Sequence, residues 1–119
     1  MSTLKVNDIQ EATSGGGKIW PARAWVNFNG TGTIAIRDDG NVSSLTDHGT
    51  GEYSQILSNA LANANYAVVC TAGDGSNNSI WEHFAYNTTY TTSSFRYRTG
   101  TTTALYDTQY NNLIFVSSP

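Results

Sequence analysis

Charged side chains are scarce in this 119-residue sequence. Lys, Arg, Asp and Glu together make up 13% of it, and six basic residues face nine acidic ones. Soluble domains usually carry about 25% charged residues, so most of the polarity here comes from Thr, Ser, Asn and Gly. There is no basic run. The composition therefore argues against nucleic acid as a partner.

Cysteine and long apolar runs are also rare. Cys70 is the single cysteine, which rules out an internal disulfide. Its surroundings, "YAVVCTA", predict a buried and unreactive thiol. No apolar run approaches the roughly 18 residues of a membrane span, and the N-terminus lacks the apolar core of a signal peptide. We therefore expect synthesis in a cytoplasm, without membrane insertion.

The residues that are abundant indicate an all-β protein. Thr and Tyr favour strands, whereas Asn and Gly favour turns. Short alternating runs are separated by turn signals roughly every 8–12 residues, which is typical of a sandwich or small barrel. We predict a jelly-roll-like antiparallel β-sandwich of about eight strands. The apolar run "YAVVCTAG" is predicted to be its most buried, central strand.

The first residues differ from the rest. We predict an N-terminal arm with a glycine-rich linker at residues 1–18 and the sandwich domain at 19–119. Gly15-Gly16-Gly17 would act as a flexible joint. The arm could be disordered, or its aliphatic residues could anchor it on a partner or a sister subunit. The candidate anchor residues are Leu4, Val6 and Ile9.

Two Gly-Thr-Gly steps, at 30–32 and 49–51, could suggest a phosphate-binding loop. Such a loop leads directly into the N-terminus of a helix and often ends with Lys-Ser or Lys-Thr. Here both steps are followed by strand-like runs, and neither has that lysine. We interpret these glycines as turn residues that supply positive φ angles.

The sequence predicts no catalytic site, cofactor site or metal site. His48 and His83 lack the paired ligand spacing of a zinc site, and the aspartates lack the alternating spacing of a calcium loop. A serine–histidine site would need an orienting third group within hydrogen-bond reach. A glycan-cleaving enzyme would need two carboxylates about 5–9.5 Å apart. No spacing selects such a pair from the available acids, Glu52, Asp74, Glu82 and Asp107.

Aromatic residues mixed with Thr, Asn and Arg suggest recognition. Flat rings cover the apolar faces of a sugar, and amides and carboxylates bind its hydroxyl groups. The alternative for each ring is a place in the core or in a subunit interface. Residues 86–110 are too polar to be mostly buried, so we expect the recognition surface there. Its candidate residues are Tyr86, Tyr90, Arg96, Tyr97, Arg98, Tyr106 and Tyr110.

Residues 24–69 resemble a module of bacteriophage tail fibres and related virion proteins, particularly of marine and cyanobacterial phages. The likeness is carried by "WVNFNGTG" at 25–32, by Asp47, "GTG" at 49–51 and Tyr53, and by "ANY" at 64–66. The head "STLKVNDIQEATSGGGK" is similar to the starts of fibre segments in such phages. One departure is Gln55, which stands where the family pattern has an apolar residue.

The resemblance implies a homotrimeric, β-rich component of the virion and carries no catalytic motif. We expect a short tail fibre or fibre tip that attaches to host surface polysaccharide or an outer-membrane protein. Its arm would contact other virion proteins. The first alternative is a capsid or tail decoration protein that cements the particle. A glycan-cleaving enzyme is the second.

Overall fold

A computed structural model describes residues 2–6, 9–10, 12, 15, 17–73, 82–85, 90–101 and 103–118, with residues 18 and 82–85 described by their backbone. These residues form strands and no helix, so no described helix could cross a membrane. The strands are β1 (Ile9–Gln10), β2 (Lys18–Ile19), β3 (Ala22–Asn29), β4 (Ala35–Gly40), β5 (Val42–Gly49), β6 (Glu52–Leu57), β7 (Ala67–Gly73), β8 (Glu82–Ala85), β9 (Ser94–Gly100) and β10 (Tyr110–Val116).

Eight of these strands form two four-stranded antiparallel sheets. The first sheet has the order β4-β3-β10-β7 and the second β5-β6-β9-β8. The predicted eight-stranded antiparallel sandwich is confirmed, whereas the trimer stays a prediction. Strands β1 and β2 pair with each other as a separate two-stranded ribbon. The predicted boundary at residue 18 falls inside β2 and also stays a prediction.

The core lies between the two sheets because alternate residues of each strand point inward. In β3 the inward side chains are Ala24, Val26 and Phe28, as the sequence predicts, and all three are buried. Aromatic rings join the sheets edge to face. The rings of Phe28 and Tyr53 are 5.3 Å apart, and those of Phe95 and Phe115 are 5.7 Å apart. Such pairs add to the hydrophobic stabilisation of the core.

Two buried tyrosines also link the sheets by hydrogen bonds. Tyr53 donates to Asp107 Oδ1 at 2.8 Å, with the carbonyl oxygen of Gly30 at 2.9 Å. Tyr97 donates to Asn111 Oδ1 at 2.7 Å. Burial raises the pKa of both hydroxyls well above the usual value, and the bond to Asp107 raises that of Tyr53 further. Both tyrosines therefore keep the proton that they donate.

The predicted turn role of the Gly-Thr-Gly steps is confirmed by backbone geometry at three of their four glycines, the exception being Gly30, where a Cβ atom would collide with the Tyr53 hydroxyl group. Gly32, Gly49 and Gly51 have φ angles of 60°, 127° and 67°, and both steps connect strands. Asn41, at the corner between β4 and β5, also has a positive φ. Its amide donates to the carbonyls of Arg23 and Asn59. These bonds stabilise the point where the chain crosses from one sheet to the other.

The position predicted for "YAVVCTAG" is wrong. Strand β7 lies at an edge of the first sheet, beside β10 alone among the described strands. Val68 and Cys70 face the core, while Val69 on the outer side is 62% exposed. A continuous apolar run cannot by itself distinguish a central strand from an edge strand. The central strands of this sheet are β3 and β10.

The Cys70 thiol is less buried than its sequence context predicts, but it has the raised pKa of an unreactive thiol. It is a partly buried free cysteine packed against the core. Burial raises its pKa to about 11. Since the thiolate is the reactive form, this cysteine is mostly in the unreactive thiol form at neutral pH.

Gln55 is fully buried and faces the sandwich interior. Neither its Oε1 nor its Nε2 has a hydrogen-bond partner among the described residues. A buried amide without partners loses its hydration without compensation, at a cost of about 1–3 kcal/mol. Gln55 is also one position at which the sequence departs from the pattern of phage fibre modules.

We expect Gln55→Met to stabilise the fold by about 1–2 kcal/mol, because an unbranched apolar side chain of similar length replaces the unpaired amide. Urea unfolding of the two proteins measures the difference. Gln55→Glu is the matched control, and it should destabilise the fold because it buries a carboxyl group at the same place. A destabilised Met variant would contradict this account of Gln55.

Candidate functional site

The residues predicted as one recognition surface lie in several places. Tyr97 is 1% exposed and belongs to the core, so its inclusion in a surface is wrong. Its neighbours in β9 alternate with it, which turns Arg96 and Arg98 to the outer face of the second sheet. Tyr86 lies outside the described residues. The other three tyrosines, Tyr90, Tyr106 and Tyr110, are exposed.

Those three tyrosines occupy different parts of the sandwich. Tyr90 packs its ring 5.1 Å from Phe95 and 5.3 Å from Tyr66. Tyr106 follows β9 and donates its backbone N–H to Thr99. Tyr110 begins β10 in the first sheet. The predicted residues do not form one face, since Tyr97 lies in the core and Tyr110 lies on the first sheet while Arg96 and Arg98 lie on the second.

The outer face of the first sheet carries a continuous hydrogen-bonded row of polar side chains, which we call the amide row. Arg37 Nη1 donates to Asn27 Oδ1 at 3.4 Å, and the Asn27 amide donates to Asn112 Oδ1. Asn112 Nδ2 then donates to Thr71 Oγ1 at 3.2 Å. The row crosses β4, β3, β10 and β7, a distance of about 14 Å at normal strand spacing. In each of these bonds the residue nearer β4 donates to the residue nearer β7.

An apolar row lies beside the amide row, about 7 Å away along the strands. It consists of Trp25, Ile114 and Val69, which are adjacent in register on β3, β10 and β7. Trp25 is 39% exposed and Ile114 is 46% exposed. The indole of Trp25 lies across Gly40, where a Cβ atom would collide with it. Gly40 thus allows the indole to lie close to the sheet.

Tyr110 borders the amide row on the other side. Its ring is 44% exposed, and the guanidinium carbon of Arg37 lies 4.7 Å from the ring centre. Arg37 Nη2 also donates to the Gln109 carbonyl at 2.7 Å, which fixes the guanidinium over the ring. The amide row, the apolar row and Tyr110 together form the surface that we call the amide face.

The amide face has the groups that bind sugar hydroxyls. Each asparagine amide has two N–H donors and an oxygen with two acceptor positions. Within the row, Asn27 and Asn112 each use one donor and one acceptor position. With respect to the described residues, each therefore keeps one donor and one acceptor position for a ligand. A hydroxyl group can accept from one and donate to the other, while Trp25 and Tyr110 offer rings for apolar contact.

The outer face of the second sheet carries an ion-pair cluster. Glu52 Oε2 on β6 accepts a hydrogen bond from Arg96 Nη2 at 2.6 Å, and Glu52 Oε1 forms an ion pair with Arg98, whose Nε lies 2.6 Å away. The hydrogen bond from Arg96 and the charge of Arg98 lower the Glu52 pKa below its usual value of 4.5, although burial opposes them. Arg96 and Arg98 thus hold β6 and β9 together as well as facing solvent.

We expect this cluster to make stability depend on pH. A carboxyl group with a lowered folded pKa stabilises the fold above its unfolded pKa, and this contribution disappears as pH falls through the folded pKa. The unfolding free energy of the wild type should therefore exceed that of Glu52→Gln at pH 7. The difference should shrink below pH 4.5. Urea unfolding at a series of pH values measures it, and a difference independent of pH would contradict this role.

His48 and Ser54 are a pair that sequence reasoning missed. The Nε2 atom of His48 lies 2.7 Å from Ser54 Oγ on the same outer face. The neighbouring carboxylate does not orient the ring, because Asp47 Oδ1 accepts from the Gly49 backbone instead. Among the described residues, no hydrogen bond joins a carboxylate to His48. The contact links β5 to β6 but lacks the third group of a catalytic triad.

The acidic residues considered for glycan cleavage have structural contacts where they are described. Glu52 binds two arginines, and Asp107 accepts from Tyr53 and from the Gly51 N–H at 2.8 Å. Asp74 and the side chain of Glu82 lie outside the described part of the chain. Within that part, no three His, Cys, Asp or Glu residues cluster closely enough to hold a metal ion.

Comparison with known proteins finds no matching family model, curated protein or solved structure. The function of the amide face is therefore inferred from its own geometry. Alternation in β3 places Trp25 and Asn27 together on the outer side, which the sequence already indicates. Their convergence with Asn112 and Thr71 depends on strand order, for which the sequence has no local signal.

Proposed function

We propose that this chain is a bacteriophage virion protein, a short tail fibre or fibre tip that attaches the particle to its host. It acts by binding and not by catalysis, as a homotrimer made in the host cytoplasm. The resemblance of residues 24–69 to phage fibre modules supports this role. A rigid all-β sandwich with few charges suits a protein that has to persist outside a cell.

The amide face is the observation that carries the proposal. It presents paired donors and acceptors on Asn27 and Asn112 between the exposed rings of Trp25 and Tyr110. Trp25, Asn27, Asn112 and Tyr110 are uncharged, and the charges beside them lie at the β4 edge: Arg37 is directed to Gln109 and Tyr110, and the exposed Asp38 is the register partner of Asn27. This chemistry fits neutral saccharide units of a bacterial surface polysaccharide. It does not require a preformed cavity, because a polysaccharide chain can lie along an open sheet.

A binding experiment tests the proposal. Labelled protein is applied to an array of neutral bacterial surface saccharides and to whole cells of a panel of marine bacteria. The wild type should bind at least one saccharide and the cells that display it. Changing both Asn27 and Asn112 to Ala should reduce the affinity at least about 10-fold, because two bidentate contacts are lost.

The matched control carries Ser44→Ala and Thr46→Ala, two exposed polar positions on β5 of the second sheet. It should bind like the wild type. Circular dichroism shows whether each variant keeps its β structure. The proposal is overturned if the wild type binds no saccharide and no cells, or if the two double variants bind equally well.

A decoration or cement protein is the second candidate, and the N-terminal arm favours it. Leu4 is 86% exposed and Val6 is 53% exposed, so the arm offers apolar side chains to another virion subunit. Particles assembled without a cement protein should lose their contents on mild heating. Particles that lack only an attachment protein should remain intact and fail to adsorb.

A further inference from the structure

The four edge strands of the sandwich differ in one respect. Strands β4 and β7 are the edges of the first sheet, and β5 and β8 are those of the second, among the strands described. Charged residues occur in three of them, such as Asp38 in β4, Asp47 in β5 and Glu82 in β8. Strand β7, "AVVCTAG", has neither a charge nor a proline. Proteins usually protect open edges with such residues, because an open edge can pair with another chain.

The outer side of β7 is also exposed at Val69. The apolar row runs from Trp25 through Ile114 to Val69 and ends at this edge, where Val69 is the most exposed of the three. An apolar run of this kind is typical of a strand that is covered on both faces, and the outer face of β7 is exposed at Val69. A fifth strand beside β7 would cover part of Val69, and the described residues supply no such strand.

The arm has the pattern of such a strand. Leu4 and Val6 are two residues apart, so in an extended segment both would lie on one side, with Thr3 and Lys5 on the other. Residues 2–6 are all exposed and belong to no strand in the single chain. Every residue from Ser2 to Val6 has a backbone N–H, because the segment contains no proline.

We propose that residues 2–6 of one copy pair with the open edge of β7 in a second copy and extend the first sheet by one strand. Leu4 or Val6 then packs beside Val69 and continues the apolar row. Each copy has one arm and one β7 edge, so the contact joins unlike surfaces, and a rotation of about 120° between copies closes three of them as a ring. The inference rests on the proposed function, since three copies give the homotrimer expected there.

Light scattering and hydrogen exchange on four proteins test this contact. They are the full chain, the chain lacking residues 2–6, Val69→Lys and the control Ile114→Lys. The full chain should have the mass of a trimer. The truncated chain and Val69→Lys should be folded monomers whose β7 amides exchange faster than in the full chain. Ile114→Lys should stay trimeric, because it lies in the same row but one strand away from the edge.

Other outcomes overturn the inference. A monomeric full chain would show that there is no second copy to donate the arm. A truncated chain that stays oligomeric would indicate pairing of two β7 edges. Loss of the trimer in Ile114→Lys but not in the truncated chain would indicate packing over the amide face. Saccharide binding is measured independently of mass, so failure of the arm contact does not count against attachment.

Discussion

Gly51→Ala is expected to destabilise the fold by about 3–5 kcal/mol, a large part of the stability of a domain this size. Gly51 has a φ of 67°, a conformation that costs a residue with a Cβ atom about 1–2 kcal/mol. The new Cβ would also lie 2.5 Å from the Thr99 carbonyl oxygen and 2.9 Å from backbone atoms of Tyr106. These are backbone atoms, which cannot move aside as the end of a side chain can.

Gly32→Ala is the matched control for this prediction. Gly32 has a similar φ of 60°, but an added Cβ would meet no atom within 4 Å. It should therefore lose only the conformational part, about 1–2 kcal/mol. Urea unfolding of both variants measures the difference. Equal losses would mean that the loop around Tyr106 can move, and that the contacts at Gly51 do not hold it in place.

Tyr97→Ala is expected to cost about 3–5 kcal/mol and to leave much of the protein unfolded at 37 °C. Tyr97 is almost completely buried, and its ring lies 6.0 Å from that of Tyr53 and 6.3 Å from that of Phe95. Removing the ring leaves a cavity between the sheets and removes the hydrogen bond to Asn111. Thermal unfolding followed by circular dichroism measures the loss.

Tyr97→Phe removes the hydroxyl group and keeps the ring, so it measures the contribution of the hydroxyl group alone. It should cost only about 1 kcal/mol, because Asn111 Oδ1 still accepts from Thr108 Oγ1 at 2.6 Å. A residue of a recognition surface would behave differently: its Ala variant would remain as stable as the wild type and lose only binding. If the Tyr97→Ala protein is as stable as the wild type, Tyr97 is not a core residue, and the prediction that it belongs to a recognition surface stands again.

Much of the fold could be predicted from local patterns. Alternation in β3 indicated which side chains face the core, and the Gly-Thr-Gly steps indicated turns. The same alternation separated Tyr97 from Arg96 and Arg98, so one surface could not contain all three. The edge position of β7 could not be predicted, because apolarity reports burial and not the number of neighbouring strands.

The candidate site was less predictable than the fold. Asn27, Asn112 and Thr71 are distant in the sequence and become neighbours only through the order β3-β10-β7. Asparagine is also common in turns, so the sequence did not mark Asn112 as a surface residue of a strand. The adjacent Asn111 shows the difficulty, since it is fully buried and satisfied by Thr108 and Phe28.

The turn at Asn29-Gly30 bears on how the protein ages. Asparagine before glycine deamidates readily, because the unhindered glycine nitrogen can attack the side-chain carbonyl and form a succinimide. Here the Asn29 amide is held by Thr31, which donates to Oδ1 through its backbone N–H and its hydroxyl group. The Gly30 N–H is directed away, to the Thr108 carbonyl at 2.9 Å. Attack requires both sets of bonds to break, so the chemical lifetime of this peptide is set by how often the turn opens.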